Sequence, residues 1–143
     1  MTIDQLSVFV ENKPGKLVEV TETLSRSGVD LRALSLADTT DFGILRLIVD
    51  KPERALDILQ EAGYLVQTSK VIPVSVSDAP GGLTGALRIL ADAGVDVEYL
   101  YAFVAHSRDR AFVIIRAEDP NRAIAVLSAG GVGIVSAEEM YGL

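Results

Sequence analysis

The chain has 143 residues, 49% of them apolar and 23% charged, enough for a buried core in one ordinary domain or two minimal ones. A net charge of -7 works against binding a phosphate backbone, and zero cysteines remove disulfides, thiol nucleophiles and cysteine metal sites. No stretch is long and apolar enough to span a bilayer, and Met1-Thr2-Ile3-Asp4 lacks the basic and apolar regions of a signal peptide, so a cytoplasmic location is expected.

Leu6, Val8 and Val10 alternate with more polar residues, the period-two signal of a strand. Asn12-Lys13-Pro14-Gly15 ends that strand and starts a helix, with Pro suited to a first helical turn because its missing N–H costs nothing there. Leu17, Val20 and Leu24 recur at helical spacing and give one apolar face, which Gly28 closes in a left-handed conformation. Leu31 to Ala37 and Ile44 to Val49 are predicted strands around the polar turn Asp38-Thr39-Thr40-Asp41. Pro52 opens a second helix with Ala55, Leu56 and Leu59 inward and Gly63 at its end, and Tyr64 to Thr68 begins a fourth strand.

The same order then repeats. Ile72, Val74 and Val76 form a strand, and Pro80 to Ala93 a helix. Val97 to Ala105 and Ala111 to Ala117 are strands around His106-Ser107-Arg108-Asp109. Asn121 to Ala129 is a helix, and Val132 to Val135 leads into the last strand. Internal register supports duplication: Pro14 aligns with Pro80, Gly15 with Gly81, Leu24 with Leu90, and Gly28-Val29-Asp30 with Gly94-Val95-Asp96. After a small hairpin insertion, Pro52 aligns with Pro120, Arg54 with Arg122 and Leu59 with Leu127. The join near Ser69-Lys70-Val71 has no Gly/Ser linker, which predicts docked units. Pro73 inside a predicted strand calls for an edge or a bulge.

Two βαββαβ units of this kind are α+β, ferredoxin-like, each an antiparallel sheet with helices on one face, divided at 1–70 and 71–143. Units so small bury a modest share of their surface, so they are expected to lean on each other or on a second chain.

The strand-to-helix turns hold the best candidate site. A helix start offers unpaired N–H groups and a partial positive charge, a place for a carboxylate, while Asn12 or Asp78 can accept from an ammonium group. Gly15 and Gly81 let a small ligand approach the backbone. Taken alone, these residues favour plain turn and capping chemistry over a site. Asp30 and Asp96 likewise read first as solvated strand starts, and second as groups able to reach a neighbouring unit's helix start. His106, the only histidine, lacks companions for a metal site or a catalytic triad. The glycine runs do not match a phosphate loop. Tyr99, Tyr101 and Phe103 alternate as in RNA-binding sheets, but acidity favours packing or an interface. Glu53, Asp57 and Glu61 read as a solvated helix face.

The whole chain resembles a tandem ACT-domain protein, a stand-alone pair with no catalytic partner in the chain. Carrying the resemblance are Asn12-Lys13-Pro14-Gly15-Lys16-Leu17 and Asp78-Ala79-Pro80-Gly81-Gly82-Leu83, each followed by Gly-Val-Asp at the same distance. The resemblance implies regulation by a free amino acid without catalysis and without a cofactor or metal, two units side by side, and a homodimer that serves some metabolic enzyme. In side-by-side ACT pairs the second strands of neighbouring domains abut in an eight-stranded sheet, with ligand at the junction. By position, Asn12 and Asp78 would take the ammonium group, and amides around Gly15, Lys16, Leu17 and Gly81, Gly82, Leu83 the carboxylate. Asp30 and Asp96, where the pattern often has Asn, would complete each site from across the junction, with a denser negative charge near Asp78 that makes the two sites unequal.

Two alternatives remain open at this point. An acylphosphatase-like enzyme shares the topology and needs a basic first loop, for which Lys13 and Lys16 are the only offering, with Ala79 and Gly82 in the second unit. A ligand-free assembly module would use the aromatic row as a dimer face.

Overall fold

The computed structural model describes residues 1–39, 41–103 and 109–142. It forms two compact units, one from Asp4–Ser69 and the other from Lys70–Leu143 with Met1–Ile3. The first is built on β1 (Ile3–Glu11), α1 (Lys16–Arg26), β2 (Leu31–Asp38), β3 (Phe42–Val49), α2 (Pro52–Glu61) and the start of β4 (Val66–Ser77). Its strands run in the order β2-β3-β1-β4, with β3 antiparallel to both β1 and β2. That order is the ferredoxin-type arrangement expected of a βαββαβ unit. The period-two residues Leu6, Val8 and Val10, with Leu45, Leu47 and Val49 of β3, turn one face of the sheet toward the helices. Val20 and Leu24 of α1 and Ala55 and Leu59 of α2 fill the space against them. Each fully buried leucine of this layer stabilises the fold by about 1.5–3 kcal/mol relative to exposure.

The second unit repeats the plan with the remainder of β4, α3 (Gly82–Asp92), β5 (Val97–Ala102), β6 (Arg110–Ala117), α4 (Pro120–Ala129) and β7 (Gly133–Ile134). Its order is β5-β6-β4-β7. Ile72, Val74 and Val76 pack with Val113 and Ile115 beneath Ala86, Leu90, Ala123 and Leu127. In both units the first helix ends in the same way. The amides of Val29 and Val95 reach back to the carbonyls of Leu24 and Leu90, at 3.1 and 2.9 Å, over a glycine in the left-handed region.

Four sequence expectations change. The fourth strand of one repeat and the first of the next are a single 12-residue strand, β4, which runs without a break through Ser69, Lys70 and Val71. Pro73 sits at neither an edge nor a bulge, since β4 pairs with β6 on one side and β7 on the other. It is tolerated because the Pro73 carbonyl accepts from the Val135 amide at 2.9 Å, so its missing N–H faces the point where β7 stops. Pro14 and Pro80 lie ahead of their helices rather than in the first turn. A short helix, α5 (Ala137–Tyr141), follows β7, capped by the Ser136 hydroxyl and burying Met140 completely.

Tyr99 and Tyr101 stack at 6.5 Å between ring centroids, and Phe103 meets Phe112 edge-on. The aromatic row is therefore used in packing. The predicted turn residues Thr40 and His106-Ser107-Arg108, and the end of the predicted strand at Ala105, lie outside the described residues.

Candidate functional site

Each strand-to-helix connection is a type II turn. Its i+1 position is Pro14 or Pro80, and its i+2 position is a glycine with φ of 88° at Gly15 and 87° at Gly81. The turns close with the Lys16 amide on the Lys13 carbonyl at 3.2 Å and the Gly82 amide on the Ala79 carbonyl at 3.0 Å. The positive φ explains both glycines. A methyl group at either would meet nothing within 4 Å, so conformation and not crowding selects the residue.

The turn consumes the amides of Lys16 and Gly82, two of the expected anion donors. The first helical bonds then run from Glu19 to the Gly15 carbonyl and from Gly85 to the Gly81 carbonyl. Between them, the amides of Leu17 and Val18, and of Leu83 and Thr84, have no acceptor among the described residues, and neither helix has a side-chain cap. Donors of this kind are open to an external anion.

The two turns differ one residue further on. A Cβ at Gly82 would stand 2.0 Å from the Ser77 carbonyl oxygen, so the second turn folds back on its own strand more tightly than a side chain allows. The aligned position in the first unit is Lys16.

The first turn borders a cavity of about 520 Å³ lined by Val10, Glu11, Asn12, Lys13, Leu17, Leu36, Asp38 and Gly43. Val10, Leu17 and Leu36 make its apolar wall. Gly43 keeps its floor open, since a Cβ there would come within 3.0 Å of the Leu36 side chain. Asn12 is held by the turn after β2: its Nδ2 donates to Asp38 Oδ1 at 2.8 Å and to the Thr39 carbonyl at 3.0 Å. With both protons spent, the Asn12 Oδ1 remains as an acceptor beside Gly43. Asp38 adds a carboxylate to that corner. Sequence reasoning missed it, because only the pairing of Asp38 with Gly43 across the hairpin brings it beside β1.

The basic residues of this turn are already matched. Lys13 pairs with Glu11 at 3.0 Å and Lys16 with Glu19 at 3.4 Å. The hydrogen bond and charge of Lys13, aided by Lys16, hold the Glu11 carboxyl below its ordinary pKa. Nearby, burial first and the Glu19 carboxylate second hold the Tyr64 phenol above its usual range.

Asp30 is not brought to this corner within its own unit. It lies at the opposite end of the 8-residue strand β2, roughly 25 Å away at the rise of a β-strand. Its carboxylate accepts from Arg32 at 2.6 Å, and its amide donates to Asp50 at 2.9 Å. Asp78 donates its amide to the Asp109 carbonyl at 2.6 Å. Asp96 lines another cavity, of about 430 Å³, with Gly94, Val95, Glu118, Asp119, Pro120 and Arg122. Among the described residues no three His, Cys, Asp or Glu side chains converge as a metal site, and no helix is long and apolar enough to cross a membrane.

Strand β2 is an edge of its sheet, and the side it shares with α1 is apolar and open. Val18 and Leu36 are each 54% exposed, with Leu17 and Leu34 partly exposed beside them. In the second unit the aligned edge strand is β5, where Leu100 is partly exposed, and Thr84 replaces Val18.

The family model of the ACT domain pair matches residues 1–142. The structure is similar to the crystal structure of protein BT0572 from Bacteroides thetaiotaomicron, with a TM-score of 0.94 and 38% identity over 100% of this chain and 98% of that one. The regulatory subunit of aspartate kinase from Thermus thermophilus, in its ligand-free form, shares the fold at a TM-score of 0.65 and 20% identity, over 89% of this chain and 91% of that one. The acetolactate synthase small subunit of Mycobacterium avium is 27% identical over 100 residues, 68% of this chain but only 60% of the relative's length.

Proposed function

Starting from a chain that belongs to the ACT domain pair family, we propose that it is a non-catalytic regulatory sensor that binds a free amino acid in the cavity at the start of α1. One observation carries the reading. The open amide of Leu17 belongs to a helix N-terminus, and Leu17 lines the same cavity as Asn12, with its Oδ1 acceptor, and Asp38, with its carboxylate. An α-amino acid presents a carboxylate and an ammonium group a few ångströms apart, the complement of that corner. The apolar wall of Val10, Leu17 and Leu36 would receive its side chain.

Residues 1–70 and 71–143 would serve as the two domains, and the site would be completed by a second copy of the chain. The open, apolar β2 edge supports a homodimer, because a strand edge with exposed Val18, Leu34 and Leu36 gains both backbone pairing and burial on docking. Such a junction could bring an Asp30 or Asp96 to the first turn of a neighbour. A ligand that bridges two domains favours their docked state by its differential affinity for that state, and this is the means of signalling. The names of the relatives, a regulatory subunit of aspartate kinase and an acetolactate synthase small subunit, support a metabolic enzyme as the recipient.

Isothermal calorimetry against the twenty amino acids tests the reading. One or a few should bind below millimolar concentration. Absence of heat from all twenty at several millimolar would overturn it.

A further inference from the structure

The duplication lets the second unit stand as a natural variant of the first. Strand register makes the comparison residue by residue. Val10 pairs with Gly43 as Val76 pairs with Ala111, and Leu36 pairs with Leu45 as Ala102 pairs with Val113. The two units agree in frame and differ at the cavity. The glycine that floors it in the first unit is an alanine in the second, and so is the leucine of its wall. In sequence, Val104 stands where the first unit has Asp38. Gly82, aligned with Lys16, folds its turn against the Ser77 carbonyl.

Gly43 joins the polar corner of the cavity to its apolar wall. A Cβ there would lie 3.0 Å from Leu36 Cδ1 and 3.4 Å from Asn12 Oδ1, so one point over Gly43 touches both. An α-amino acid carries its ammonium nitrogen and its side chain on a single carbon. Seated over Gly43, it sets the ammonium against Asn12 Oδ1 and lays the side chain along Leu36 and Leu17. Both leucines are exposed, so an apolar side chain takes apolar surface out of water on the protein and on itself. A charged side chain finds no such gain. Among the lining residues Lys13 is already paired with Glu11, and the Asp38 carboxylate is held by Asn12 beside the ammonium position. Covering a charge without a partner is costly.

We infer that the first unit alone carries the site, one per chain, and that the site selects an amino acid with an uncharged, apolar side chain. Gly43 is the residue that admits the ligand, and Leu36 the one that selects its side chain. This rests on the amino-acid reading and adds to it the ligand class and the count.

The test is calorimetry on the full-length protein with leucine, phenylalanine, lysine, aspartate and serine. Leucine or phenylalanine should bind at one site per chain, at least tenfold tighter than the other three. Burial of one apolar side chain is worth roughly ten- to hundredfold in affinity. Gly43→Ala installs the second unit's residue and should weaken that amino acid at least tenfold. A 15N–1H spectrum that changes only around Asn12, Leu36 and Gly43 would show the variant folded. The reciprocal Ala111→Gly should leave affinity and count as they are. Tightest binding by lysine, aspartate or serine, two sites per chain, or full affinity in Gly43→Ala would overturn this inference and leave the amino-acid reading standing. Silence from all twenty amino acids would overturn both.

Discussion

Substituting alanine at two neighbouring kinds of glycine separates two physical demands that the sequence shows as one letter. Gly15 has a φ of 88° and open space where a Cβ would stand. Gly15→Ala should therefore lose only the cost of holding an L-residue in the left-handed region, about 1–2 kcal/mol. Gly82 has no positive φ, but a Cβ there would lie 2.0 Å from the Ser77 carbonyl oxygen. Backbone cannot yield as a flexible side chain can, so the turn must move away from β4, at a cost of about 3 kcal/mol or more. With a urea dependence of about 1–3 kcal/mol per molar, the midpoint should fall by roughly 0.5–1 M for Gly15→Ala. It should fall at least twice as far for Gly82→Ala. Urea unfolding followed by circular dichroism measures both. The first unit supplies a control, since Lys16 holds the position aligned with Gly82, and Lys16→Ala should change the midpoint little. If Gly82→Ala costs no more than Gly15→Ala, the close approach of the second turn to Ser77 does not constrain the fold and the reasoning fails.

Asn12→Ala removes two hydrogen bonds to the turn after β2 as well as the Oδ1 acceptor, so stability should fall by about 1–2 kcal/mol and amino-acid binding by roughly tenfold or more. Calorimetry and urea melts on the same variant separate the two effects. The Glu11 carboxyl should titrate below the ordinary value of 4.5, and Lys13→Ala should move it back toward that value, with the Lys16 charge still acting on it. Because the folded pKa is the lower one, the stabilisation from this pair is present above pH 4.5 and fades as pH falls through the folded value, which a carbon-detected NMR titration would follow. Leu36→Asp places a charge on the exposed apolar edge, and sedimentation should show a dimer of the parent chain dissociating without loss of helical signal. A variant that sediments as the parent does would remove β2 from the association surface.

Local physics was legible in the residues themselves. Alternation at Leu6, Val8 and Val10 marks a strand wherever it stands, because side chains of a strand alternate faces, and Leu17, Val20 and Leu24 mark a helix face by the same kind of periodicity. Gly28 and Gly94 announce a left-handed helix end, and the doubled Pro-Gly turns carried the family resemblance that the ACT domain pair match bears out. Asn12 was also visible as a candidate, although a short polar side chain next to a helix start reads first as turn and capping chemistry.

Partnerships across the chain were not legible, since they depend on which strand pairs with which and in what register. Asp38 reaches Asn12 only because β3 lies between β1 and β2 and pairs Gly43 with Asp38. Pro73 looked misplaced until β7 proved to end opposite its missing N–H. The tight Gly82–Ser77 approach depends on distances of about an ångström or two. Periodicity and composition record which face a residue takes, an intrinsic preference of the local backbone. They carry no record of what stands opposite, because that is set by packing of the whole unit.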